Sequence, residues 1–388
     1  MNKIIPYTKH SIDSDDVAAV GSALMGGSVT GGSKIAEFES AIAAFCGARY
    51  CVVCSNGTAA LHIANLAAGF APGSKIVAPA VTFAATVNSI LYVGGNPLLC
   101  DIDPITVQIS VPYLMDLIEK NENVRGVIPV HMGGVIGDCE KLKEVADRNN
   151  LIVIEDACHS YGGKWTDSRG IRRTVGDCSY SDMAVFSFHP AKLICTGEGG
   201  AVTTNDQSLY ERMISIRSHG IERDPTRLHS LDGGWYYEVQ QLGFNYRLTE
   251  FQAALGLSQL KKAAGWIKRR KVLVDRYDAA FRGLRQIKPQ MHPQDMDLAY
   301  HLYIVAAVSR RELYDSLRAN NINAQVHYVP IHYHPFFQSR LKVSVGDFPN
   351  AEAYYEKAIS LPLYSDLSDF DQDRVIKEVF DFYRGSVA

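Results

Sequence analysis

The 388-residue chain has no surplus of either charge. It carries 39 Lys and Arg against 42 Asp and Glu, a formal net charge of -3. That balance argues against a nucleic-acid binder that works by neutralising phosphates. No apolar run approaches the length of a bilayer span, so no membrane partner is expected. The opening MNKIIPYTKHSIDSDD turns polar too early for a secretory leader, and a cytoplasmic location is the expectation. Repeats and low-complexity tracts are missing as well. So is a metal-binding framework. The eight cysteines (46, 51, 54, 100, 139, 158, 178 and 195) all lie within the first 195 residues, six of them in or beside apolar runs. The CxxC at Cys51–Cys54 falls inside a run that reads as a strand, where residues three apart face opposite ways. Buried thiols are therefore expected. His332 and His334 form a tight pair near His327, but no carboxylate or thiol stands beside them in the sequence, and no metal is assigned. The chain lacks a dinucleotide fingerprint followed by an acidic residue. Gly26–Lys34 (GGSVTGGSK) fails as a P-loop, because the Ser-Lys order is reversed and no strand precedes it.

What the chain does have is the balance of a globular protein, 47% hydrophobic and 21% charged. Its length suits two domains. Apolar runs at 50–54, 75–79, 97–101, 126–131 and 151–155 read as buried strands, with helices predicted at 58–69, 84–93, 112–120 and 138–149 between them. Such alternation predicts an α/β domain with a mostly parallel sheet covered on both sides. Ile35, Phe38, Ile42 and Phe45 recur at helical spacing before this block, and Gly47 stops that helix. Runs at 182–188 and 200–204 add two strands. Thr249-Glu250-Phe251-Gln252 is a capping box opening a long helix to about residue 283. A domain boundary is expected within it, giving a large domain at 1–260 and a smaller α+β domain at 261–388. Beyond a loop near 288–297 come a strand at 301–308, a helix at 310–320, a strand at 324–328 and a final helix around 368–384. Residues 220–242 show no periodicity and carry GGWYY, the mark of a functional or cross-subunit loop.

Three polar groups fall at strand ends, where ligands bind in an open α/β sheet. Ser55-Asn56-Gly57-Thr58-Ala59 is a small-residue turn feeding a helix N-terminus, which offers N–H groups and a favourable dipole to a phosphate. Glu155-Asp156-Ala157-Cys158-His159 follows the most apolar strand; its carboxylate is either a helix cap or the partner of a buried cationic group. Phe186-Ser187-Phe188-His189-Pro190-Ala191-Lys192 puts a lone lysine past a strand, backed by a glycine turn. That lysine either snorkels to the surface or is buried, and burial makes an amine nucleophilic toward carbonyls. In combination, a phosphate cradle, a strand-end aspartate and a strand-end lysine are the parts of a pyridoxal-phosphate site.

The runs SNGTAALHIA (55–64), EDACHS (155–160), FSFHPAKLICTGEGGAVTTND (186–206), RSHG (217–220), GFNYRLTEFQAALGLSQL (243–260) and ISLPLYSDLSDFDQD (359–373) resemble the DegT/DnrJ/StrS sugar-nucleotide aminotransferases. The resemblance implies an aspartate-aminotransferase-like fold of type I: a mostly parallel seven-stranded sheet in a large domain, with a smaller α+β domain. By position it makes Lys192 the lysine that carries pyridoxal 5'-phosphate, and Asp156 the partner of the ring nitrogen. His159 flanks the ring oxygen and Phe83 stacks on the ring. Gly57, Thr58, Ala59 and Ser187 match the phosphate contacts, and Asn56 belongs with the cofactor-binding residues. Asn245 reaches the phosphate of a neighbouring subunit, which implies a homodimer with shared sites, and Arg247 would take the glutamate carboxylate. A branch of the family that dehydrates sugars has histidine in place of the lysine. Lys192 is retained here, which favours transamination.

Within the family, Ala324–Tyr333, Leu257–Lys262 and Pro6-Tyr7 most resemble the branch of the pseudaminic acid pathway. That branch moves an amino group from L-glutamate to C-4 of a UDP-linked 4-keto-6-deoxy-N-acetylhexosamine. The matching sugar-nucleotide contacts are Tyr7, Gly27, Ser28, Val29, Thr30, Gln325, His327 and Tyr328. Enzymes of the GDP-perosamine and UDP-4-amino-arabinose types are the alternatives. A non-catalytic sugar or cofactor sensor would keep the fold but has no need of Lys192, Asp156 and Ser187 together.

Overall fold

A computed structural model describes residues 3–291, 293 and 295–385; His292 and Gln294 of the expected 288–297 loop lie outside it. Seven short strands form the main sheet: β1 Tyr50–Cys54, β2 Lys75–Pro79, β3 Asn96–Cys100, β4 Val124–Val127, β5 Ile152–Asp156, β6 Met183–Ser187 and β7 Gly200–Thr204. Their spatial order is β1-β7-β6-β5-β4-β2-β3. The four neighbour pairs from β6 to β3 are parallel, while β7 runs antiparallel to both β1 and β6. Strands buried on both faces need apolar side chains in both directions, which is why they read as unbroken runs. The two cysteines of the CxxC show this. Cys51 packs into one core cluster and Cys54 into the cluster on the opposite face. All eight cysteines are free thiols; seven are buried, as expected, and Cys158 is half-buried.

Helices cover the sheet: α1 Ser14–Met25, α2 Ser33–Cys46, α3 Gly57–Ala67, α4 Ala84–Tyr92, α5 Val111–Lys120, α6 Cys139–Arg148 and α7 Gln207–Arg217. Gly47 ends α2 in the left-handed conformation (φ 84°), as its place in the pattern required. Strand β4 stops earlier than the 126–131 run suggested. Pro129 has no N–H to continue the ladder, and pairing resumes only as a bridge between Val130 and Asp156.

The C-terminal part departs further from expectation. The stretch from 250 to 283 is two helices, α8 Glu250–Leu260 and α9 Ala263–Phe281. At the break Lys262 turns back to pair with Asp13 and Asp16, 2.5 and 2.9 Å away at the start of α1. A three-stranded antiparallel sheet follows, β8 Ile287–Pro289, β9 Tyr303–Ala307 and β10 Ala358–Leu361. It is flanked by α10 Arg310–Ala319, α11 Pro335–Leu341, α12 Pro349–Lys357 and α13 Asp369–Gly385. Residues 324–328 are not a strand. One bridge, Gln325 to Ser360, holds the segment on the edge of β10, and the chain then leaves the sheet. Residues 220–242 contain a small hairpin, Ile221–Glu222 against Glu238–Val239, and leave Leu231, Trp235, Val239 and Leu242 exposed. No helix among the described residues is long and apolar enough to cross a membrane.

Candidate active site

The carboxyl ends of β5 and β6 and the N-terminus of α3 face a cavity of about 660 Å³. Helix α3 starts at Gly57 because Asn56 caps it, its side chain accepting from Ala59 N at 2.8 Å. The first N–H groups of a helix have no helical partner and carry the positive end of its dipole. Gly57 and Thr58 thus present an anion cradle to the cavity they line. Ser187, the last residue of β6, closes its other side. A Cβ on Gly57 would lie 2.8 Å from Ser187 Cβ and 3.1 Å from its Oγ, so this approach requires glycine.

Asp156, 5% exposed, ends β5 on the cavity wall. No helix begins after it, which disposes of the helix-cap alternative. Its Oδ2 accepts a 2.7 Å hydrogen bond from Thr86 Oγ1, and Thr86 Oγ1 lies 2.7 Å from Thr82 Oγ1. Lys192 sits in the turn after β6, its backbone N–H donating to His189 O at 2.8 Å. Burial pushes its ammonium below the ordinary lysine value, against the pull of Cys158 and Asp156. The lysine lines the cavity rather than snorkelling out to solvent.

The remaining wall is aromatic and imidazole. Gly133 N–H donates to His159 Nδ1 at 3.3 Å, which leaves the ring proton on Nε2. Nε2 then donates to the Tyr328 hydroxyl oxygen, 3.0 Å away, and the Tyr328 O–H is free to donate into the cavity. Burial holds His159 well below the usual histidine range and pushes Tyr328 up. Phe83, 57% exposed, stands with its ring 5.7 Å from that of Tyr328, a bare aromatic face at the cavity mouth. His327 Nδ1 is bonded to Ser360 Oγ at 2.8 Å, and its ring lies 5.5 Å from that of Tyr7. Burial lowers His327 to about 4.

Tyr7, Asn56, Gly57, Thr58, Ala59, Phe83, Asp156, His159, Ser187, Lys192, His327 and Tyr328 thus share one cavity. The other expected residues stand apart from it in this chain. Phe244 and Tyr246 turn inward, with Tyr246 Oη 3.2 Å from His62 Nδ1, so the alternating Asn245 and Arg247 are exposed on the outer side. Gly27 and Ser28 line a second cavity of about 720 Å³ between α1, α2 and α8. The Val29 carbonyl accepts from Glu250 N at 3.0 Å, and the Thr30 carbonyl from Ser28 Oγ at 2.5 Å. Gln325 is exposed, its backbone engaged with Ser360.

Thr86 and His301 also belong to the site, through Asp156 and Lys192, and the sequence alone does not place them there. Thr86 looks like any small residue of a buried helix. His301 interrupts the apolar run LAYHLYIVA, and that interruption was the available signal. Two groups that could hold a cation are committed elsewhere. Buried His131 accepts Gly137 N–H on Nδ1 (3.3 Å) and so donates from Nε2 to Glu155 (3.0 Å), beside Cys139. His332 Nε2 is paired with Glu352 at 2.9 Å, a carboxylate brought from α12 that the sequence did not suggest.

The cavity's donor set fits pyridoxal phosphate: an N–H cradle with a serine for the phosphate, a buried carboxylate for the ring nitrogen and an amine for the aldehyde. Comparisons agree. The model of the DegT/DnrJ/EryC1/StrS aminotransferase family matches residues 10–380. The spore coat polysaccharide biosynthesis protein SpsC of Bacillus subtilis is 36% identical over 393 residues, covering 99% of this chain and 98% of its own. GDP-perosamine synthase of Caulobacter vibrioides is 35% identical over 352 residues, 89% of each chain. Among solved structures, Helicobacter pylori PseC, an aminotransferase of pseudoaminic acid biosynthesis, is similar with a TM-score of 0.89 at 29% identity, covering 99% of this chain and 100% of its own. The putative sugar aminotransferase Spr1654 of Streptococcus pneumoniae, solved in its PMP form, gives a TM-score of 0.89 at 27% identity over 96% and 98% of the two chains. The chain therefore belongs to the DegT/DnrJ/EryC1/StrS family and is a sugar aminotransferase of fold type I with pyridoxal phosphate as its cofactor.

Proposed function

We propose that this enzyme transfers the amino group of L-glutamate to C-4 of a UDP-linked 4-keto-6-deoxy-N-acetylhexosamine, the step of pseudaminic acid biosynthesis. The observation that carries the reading is the full-length likeness to PseC, together with a cavity lined by Tyr7, His327 and Tyr328. The cofactor, when bound, supplies an aldehyde that takes up the amino group and a ring that withdraws electrons from the reacting carbon. The chain supplies the rest. The Gly57 and Thr58 N–H groups and Ser187 hold the phosphate. Asp156, fixed by Thr86, holds the proton on the ring nitrogen. Phe83 covers the exposed ring face. Lys192 Nζ, its ammonium disfavoured by burial, would move a proton from the amino donor's carbon to the cofactor's aldehyde carbon, and in the second half-reaction from there to the sugar's C-4. Lys192, Asp156 and Ser187 together leave a non-catalytic sensor without support.

The working unit is a homodimer. Asn245 and Arg247 point away from their own cavity, beside the exposed apolar residues of the 220–242 loop, as groups serving a second copy would. Arg247 then receives the glutamate carboxylate, and residues 27–30 and Gln325 contribute to the sugar nucleotide. The two lobes divide at residues 260 and 261, next to the break between α8 and α9, and the enzyme works in the cytoplasm. A second reading, amination of a GDP-linked sugar, is favoured by the 35% identity to GDP-perosamine synthase. Steady-state assays with glutamate and each nucleotide sugar separate the two: turnover with the UDP-N-acetyl sugar alone supports the first, turnover with the GDP sugar alone the second.

A further inference from the structure

His301 reaches the cavity from the segment that leads into β9, far in sequence from Lys192. Its Nε2 lies 3.5 Å from Lys192 Nζ, and its ring packs 4.4 Å, centre to centre, from that of His159. Three features hold it there. Arg270 of α9, fully buried, donates from Nη1 to the carbonyls of Tyr300 (3.1 Å), His301 (3.3 Å) and Leu363 (3.5 Å). No carboxylate pairs with Arg270 among the described residues, so its guanidinium serves these carbonyls. Tyr300 adopts φ 45°, a conformation that a bulky residue keeps only where its surroundings enforce it. Gly134 meets the same segment so closely that a Cβ would lie 3.1 Å from His301 N and 3.2 Å from Tyr300 N, and Leu302 N donates to Gly133 O at 3.2 Å. A costly buried arginine and an enforced backbone converge on one imidazole, and that imidazole touches the lysine.

We propose that His301 is a positioning residue for Lys192: its Nε2, within hydrogen-bonding reach of Lys192 Nζ, holds the amine in one orientation facing the cavity, and Arg270 sets His301 in place through the backbone. A hydrogen-bond partner on one side of the amine fixes its rotamer, which shortens the search for the attacking geometry. The inference rests on the reading of Lys192 as the residue that receives the cofactor.

The test uses the cofactor-free protein with pyridoxal phosphate as the probe. Covalent attachment at Lys192 is followed by absorbance and, after borohydride trapping, by peptide mass. His301→Asn keeps a polar amide but is too short to reach Nζ, whereas His301→Gln restores the reach. Attachment should slow about tenfold in His301→Asn, the worth of one well-placed hydrogen bond, and return to within about threefold in His301→Gln. Arg270→Lys should slow it as well, and adding Arg270→Lys to His301→Asn should slow it no further. Melting midpoints of all variants separate these effects from loss of fold. A His301→Asn variant that attaches at the wild-type rate overturns the inference while leaving the reading of Lys192 intact. Failure of the wild type to attach at Lys192 overturns both.

Discussion

His159 donates from Nε2 to the hydroxyl oxygen of Tyr328 across 3.0 Å, joining residues 169 positions apart in the chain. The direction of that bond is set from behind, by the Gly133 N–H on Nδ1. It ties the last segment to enter the cavity to the strand end that carries Asp156.

Tyr328→Phe removes the acceptor from a buried imidazole and a donor from the cavity. Leaving a buried polar group unpaired costs about 1–3 kcal/mol. The melting midpoint should fall and turnover should drop. A variant unchanged in both would show that the pair has no role.

Lys192→Ala should keep the fold and lose the reaction. The side chain packs into a cavity rather than a core, so circular dichroism and the melting midpoint should stay near the wild type. Measurable multiple turnover by this variant would sink the assignment.

Thr86→Val replaces the hydroxyl that donates to Asp156 with a methyl of equal size. Hydrogen bonds to charged acceptors contribute about 1.5–3 kcal/mol. Retention of pyridoxal phosphate on dialysis should weaken at least about tenfold, and Thr86→Ser should restore it. Equal retention in the Val variant would separate Asp156 from the ring nitrogen.

Acid should destabilise the cofactor-free protein before carboxylates dominate. Burial lowers His327 from 6.5 to about 4 and holds His159 and His301 well below the same value. Between those values the unfolded chain binds more protons than the folded one, so stability rises with pH there. It is complete above pH 6.5 and is lost as pH falls toward 4, with His327 alone worth roughly 3 kcal/mol. Urea midpoints measured from pH 7 to 4.5 should decline steadily. A flat profile would contradict the neutral, buried state of these rings.

The sheet was legible because its strands are short apolar runs bounded by turns, and five of them recur with helices between. The cradle, Asp156 and Lys192 were legible because strand ends are where an α/β sheet binds ligands. What was not legible depends on partners distant in sequence. Residues 324–328 look like a strand, yet only Gln325 finds a neighbour, and the chain is diverted to bring His327 and Tyr328 to the cavity. At the break between α8 and α9, Lys262 pairs with Asp13 and Asp16, nearly 250 residues earlier. His301, in the run leading into β9, shows no link to Lys192 until the fold brings the two together.

The central claim is tested most directly by a two-stage absorbance experiment on the purified holoenzyme. Glutamate is added to bleach the coloured cofactor, then removed, and UDP- and GDP-linked 4-keto-6-deoxy sugars are offered separately. Glutamate should bleach the cofactor, and the colour should return with the UDP-N-acetyl sugar alone. Return with the GDP sugar alone would contradict the assigned substrate, and no bleaching by glutamate would contradict the assigned amino donor.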